Sequence, residues 1–68
     1  MNEILEKANK TEDKSLLIVD DDNIFRDRLA RSMQKKGFEV IQAEGVQQGL
    51  ERATVNKPYF AVVDLRLN

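Results

Sequence analysis

The 68-residue chain contains no cysteine and no histidine, which confines its chemistry to carboxylates. Without thiols there is neither a disulfide framework nor a thiolate metal site. Without imidazole, a common general base, metal ligand and near-neutral pH switch is missing. No apolar run approaches the roughly 20 residues that a membrane span requires, and the start Met1-Asn2-Glu3-Ile4-Leu5-Glu6-Lys7 lacks a secretory apolar core. An excess of one charge is lacking too: 11 basic residues against 12 acidic ones exert no broad pull on nucleic acid or an anionic membrane. These absences predict one small cytoplasmic domain. Its core must be modest, because a chain of this size buries only about 60% of its unfolded surface.

Residues 1–14 carry four acids and three bases around Ile4, Leu5 and Ala8, too little apolar surface to offset the entropy of ordering. They are expected to form a flexible arm, with a short helix over Asn2 to Ala8 as the alternative. From Ser15 the pattern changes. Leu16-Leu17-Ile18-Val19 is an unbroken apolar run of the kind found in a strand buried on both faces. Asp22 is placed to cap a helix in which Phe25, Leu29 and Met33 recur every four residues, beside Ile24 and Ala30. Arg26, Asp27, Arg28 and Arg31 are assigned to its wet side, and Gly37 to the left-handed turn that ends it. Phe38 to Gln42 reads as an edge strand, Val46, Leu50 and Ala53 as a second amphipathic helix stopped at Asn56-Lys57-Pro58, and Tyr59 to Val63 as a third strand.

The order β-α-β-α-β with right-handed crossovers puts the second and third strands on opposite sides of the first, spatial order 2-1-3, with a helix on each face. In such doubly wound α/β sheets a crevice opens beyond the carboxyl ends, where the connections leave in opposite directions. Asp20 and Asp21 end one strand and Asp64 ends another, so three carboxylates converge on that crevice. Oxygens gathered in this way suit a hard divalent cation such as Mg2+. Asp22 is explained by capping alone. The two apolar stripes are read as core, and Gly45 and Gly49 form no phosphate-binding loop pattern.

The segments Leu16-Leu17-Ile18-Val19-Asp20-Asp21-Asp22, Gly37-Phe38-Glu39-Val40 and Ala61-Val62-Val63-Asp64-Leu65-Arg66-Leu67 resemble the receiver domain of two-component response regulators. Among receivers they are most similar to the proteobacterial regulators of redox and photosynthesis genes. The resemblance spans Ser15 to Asn68 and implies a truncated flavodoxin-like fold of three strands and two helices. It further implies that in the complete domain Asp64 accepts a phosphoryl group from a sensor histidine kinase with Mg2+, and counts Asp64 among the residues around the metal. It assigns Asp21 as a direct Mg2+ ligand, Asp20 as a ligand acting mainly through water, and the Arg66 backbone carbonyl as another oxygen. Asn68 stands where most receivers have a proline. The hydroxyl and lysine that sense the phosphoryl group in a complete receiver belong to its later half, and DNA is expected to be contacted only through a separate C-terminal output domain.

This resemblance implies a signalling module that controls transcription rather than an enzyme. The alternative is a fragment that no longer switches and associates with itself or a partner through the open edge of its third strand, so a homo-oligomer is expected. A small phosphatase is disfavoured, because Asp64-Leu65-Arg66 lacks the second aspartate of a dehalogenase-like phosphatase loop.

Overall fold

The computed structural model describes residues 13–64. Five elements follow one another: β1 (Ser15–Asp20), α1 (Asn23–Lys35), β2 (Glu39–Ala43), α2 (Val46–Asn56) and β3 (Phe60–Asp64). The three strands form one parallel sheet in the order β2-β1-β3. This is the opening portion of a doubly wound, flavodoxin-like fold, as the sequence predicts. Among the described residues no helix is long and apolar enough to cross a membrane. The arm proposed for residues 1–14 lies outside the described residues except for Asp13 and Lys14.

β1 is the element around which the others are placed. Leu16, Leu17, Ile18 and Val19 are all buried, and strand alternation sends them to opposite faces. Leu16 and Ile18 join Ala30 of α1, with Leu29, Met33, Phe38, Val40 and Phe60 packed around them. Leu17 and Val19 join Ala43, with Ile41 and Ala53 around them. Gly49 allows α2 its close approach to the second face: a Cβ there would lie 3.0 Å from Val19 Cγ2.

Local chemistry sets the boundaries. The Asp22 carboxylate accepts the Phe25 N–H at 2.9 Å, capping α1 as expected. At its other end Gly37 has φ of 98°. There the N–H groups of Gly37 and Phe38 return to the carbonyls of Gln34 and Met33, a Schellman turn. That turn uses the Phe38 N–H, so β2 begins one residue later than predicted. Tyr59 likewise donates its N–H to Ser15 Oγ at 2.9 Å, and β3 runs from Phe60 through Asp64. The Ser15 hydroxyl and N–H both donate to Asp13 Oδ1 and hold that carboxyl below its ordinary pKa. Edge-on contacts of the Phe60 ring with Phe38 and Tyr59 further tie the start of β3 to the sheet.

The two helical stripes are less buried than their spacing predicts. Leu29, Met33 and Ala53 do pack on the core, but Phe25 is 48% exposed, Val46 54% and Leu50 65%. The reason is the width of the sheet: the backbones of both helices lie over β1 and β2 and not over β3. Val46 and Leu50 instead border an open apolar groove of about 260 Å3 that also includes Ala61 and Val63.

Replacing Asp22 with alanine is expected to lower stability by about 1 kcal/mol, the usual worth of a helix cap. Urea unfolding should report this as a lower midpoint with an unchanged slope. An unaltered midpoint would show that other contacts hold the start of α1.

Candidate functional site

The register of the sheet delivers the acids to one edge. Asp20, the last residue of β1, is the Cα partner of Asp64, the last residue of β3. Both lie on the α1 face, two residues beyond Ile18 and Val62. Asp21 follows in the exposed turn that leads to α1.

Their surroundings differ. Asp20 is only 1% exposed, a costly position for a carboxylate unless its oxygens are occupied. Its Oδ1 accepts the Asp22 N–H at 2.9 Å, which fixes the direction of the side chain. Asp21 and Asp64 are exposed and reachable from solvent. Among the described residues, no three acidic side chains are already drawn together as a finished cation cage. What the fold brings together is the Asp20–Asp64 pair, with Asp21 next in the chain. Arg66, whose carbonyl was assigned to the cation, lies outside the described residues. The donor chemistry nonetheless fits Mg2+, which favours oxygen ligands and keeps several waters. One carboxylate is buried and oriented, and two neighbours remain open to water.

Arg26 corrects the sequence reading. Assigned to the wet face of α1 with Arg28 and Arg31, it is half-buried and directed to the sheet. Its Nη1 donates to the Asp20 backbone carbonyl at 2.7 Å and its Nε to Gln42 Oε1 at 3.0 Å. Arg31 does behave as a surface residue, pairing with Asp27 at 3.0 Å, an exposed contact of small energetic worth. The signal for Arg26 was available in β2. Alternation puts Gln42 on the same face as Val40, under α1, where its half-buried amide is within reach of a polar side chain from the helix.

Comparison with known proteins bears on this edge. Over 56 residues, 82% of the chain, it is 55% identical to the acid tolerance regulatory protein ActR of Rhizobium meliloti, covering 29% of that protein. It is 57% identical over 56 residues to the photosynthetic apparatus regulatory protein RegA of Rhodovulum sulfidophilum, covering 82% of the chain and 31% of that protein. With RegA of Rhodobacter capsulatus the identity is 50% over 62 residues, 91% of the chain and 34% of the relative. These relatives are proteobacterial response regulators. The chain is a response-regulator receiver segment. No family model and no solved structure matches it. The receiver segment spans about 30% of the length of these curated relatives.

In the receiver segment two acids stand side by side on neighbouring strands, and like charges so placed repel. Asp64→Asn is therefore expected to raise stability in metal-free, low-salt buffer by about 0.5 kcal/mol, with the gain shrinking as salt is added. Urea midpoints at two ionic strengths would measure it. A gain unaffected by salt would trace the effect to something other than repulsion.

Proposed function

We propose that this receiver segment carries the phosphoacceptor side of a two-component phosphorelay. In this reading Asp64, within the complete receiver domain, takes a phosphoryl group from a sensor histidine kinase in the cytoplasm, while Asp20, Asp21, Asp64 itself and the Arg66 carbonyl surround Mg2+. The observation that carries the reading is the pairing of Asp20 with Asp64 at the carboxyl ends of adjacent parallel strands. Exposure leaves Asp64 open to an incoming donor, and burial keeps Asp20 fixed beside it.

An Asp64 carboxylate oxygen would attack the phosphorus of a phosphohistidine. The P–N bond would break, the imidazole would leave and take up a proton, and an acyl phosphate would remain on Asp64. Mg2+, when bound, would offset the negative charge of the phosphoryl oxygens. Asp20 and Asp21 would contribute oxygens to the cation and no bond making of their own. The chain acts here as a signalling domain rather than a turnover enzyme, and control of transcription belongs to the whole protein, through an output domain that contacts DNA. The names of the relatives, regulators of acid tolerance and of the photosynthetic apparatus, support that role.

Incubation of the chain within its complete receiver domain with acetyl phosphate and Mg2+, followed by intact-mass measurement, tests the reading. One phosphoryl group is expected on the unmodified chain and on Asp22→Asn, and none on Asp64→Asn or when the metal is chelated. Uptake that persists in Asp64→Asn, or no uptake by the unmodified chain, overturns it.

A second reading is favoured by β3. It pairs with β1 on one side, and no described strand covers its other edge. Neither helix lies over it, and Val62 and Val63 are exposed on opposite faces. Such an edge templates pairing with another strand. The occupant we propose is a second copy, joined antiparallel about a twofold axis. A parallel pairing would set Asp64 against Asp64, whereas the antiparallel one turns each acidic end toward the other copy's Lys57 end, and twofold symmetry closes the assembly. Sedimentation over a range of concentrations should show a dimer that Val63→Lys dissociates. A monomer at every concentration would remove this reading.

A further inference from the structure

We propose that Arg26 is a positioning residue for the cation site: its guanidinium holds the turn that presents Asp21, and so sets the affinity for Mg2+ without touching the metal. The inference rests on the reading of the acidic edge given above and assigns a role to a residue outside the acid set.

Three hydrogen bonds carry the argument. The Arg26 side chain donates through Nη1 to the carbonyl of Asp20. The Arg26 main-chain N–H donates to the carbonyl of Asp22 at 2.9 Å. The Asp22 N–H in turn donates to Asp20 Oδ1. One residue therefore holds the carbonyls on both sides of Asp21, while the ends of the turn are bonded to each other. Asp21, the exposed acid between them, has its backbone confined by contacts that its own side chain does not make.

Gln42 makes the grip directional. A guanidinium is planar and presents its donors in a fixed fork, so two bonds to different strands determine its orientation. Nε is held by Gln42 Oε1 on β2, which leaves Nη1 aimed at the end of β1. The bond to Gln42 spans 16 residues of sequence. It couples the turn after β1 to a strand that carries none of the three acids.

Arg26 also brings a positive charge to a site meant for a cation, and charge and positioning predict opposite results. If charge dominated, Arg26→Gln would bind Mg2+ more tightly and Gln42→Leu, which leaves the charge in place, would change nothing. If positioning dominates, both variants bind more weakly, by about tenfold, the scale on which partners of metal ligands act.

Calorimetric titration with MgCl2 of the unmodified chain, Arg26→Gln, Gln42→Leu and the exposed control Arg28→Gln separates these cases. Amide exchange in metal-free protein provides a readout independent of the metal. The expected result is weaker binding and faster exchange at Asp22 in the first two variants, with Leu16 to Val19 still protected and the control unchanged. Binding as tight as or tighter than that of the unmodified chain in either variant overturns the proposal, as does unchanged exchange at Asp22. If Arg26→Gln loses protection at Leu16 to Val19, the decision passes to Gln42→Leu, which keeps the arginine. If the unmodified chain binds no Mg2+, the reading of the acidic edge fails by itself. Exchange at Asp22 then still decides whether Arg26 holds the turn.

Discussion

The burial of β1 on both of its faces is the constraint on which the rest of the structure depends. Four consecutive apolar residues, Leu16 to Val19, feed two cores at once, so a helix is needed above the sheet and another below it. Parallel neighbours complete its hydrogen bonding on either side. An apolar run that stops abruptly at Asp20 thereby locates the first acid at the sheet edge, and the parallel register brings Asp64 to the same level. The position of the carboxylates is a by-product of how the core is filled.

That economy has a limit at β3. The strand gains its place from β1 and from the ring contacts around Phe60, but the helices give it no cover. Its outer residues, Val62 and Val63, are half-exposed although they are strong strand formers. The acidic end and the edge that no described strand covers are parts of one strand, with Asp64 at their junction.

Much of this was legible in the sequence. The strand order and the opposite placement of the helices follow from three short apolar runs, two helical repeats and the handedness of crossovers. The cap at Asp22 and the left-handed turn at Gly37 follow from residue type. What escaped depended on partners distant in sequence. β2 and β3 each began a residue late because the N–H groups of Phe38 and Tyr59 were already committed to a helix end and to a serine hydroxyl. Val46 and Leu50 had helical spacing but no third strand beneath their helix. The spacing of the apolar stripe leaves Arg26 on the wet side of α1 with Arg28 and Arg31, and the periodicity of one helix contains no information about Gln42. The parity of Gln42 along β2 held that information, and reading the two elements together recovers it.

The unequal support of the strands has a consequence for linkage between binding and order. Asp20 belongs to the most enclosed strand and Asp64 to the least enclosed one. Anything that engages both carboxylates acts as a cross-link from the rigid part of the sheet to its loosest part, and adds its binding energy to the docking of β3. Conversely, fraying of β3 would withdraw Asp64 from the acidic edge while leaving β1, β2 and both helices in place. Occupancy of the site and closure of the sheet would then be two descriptions of one equilibrium.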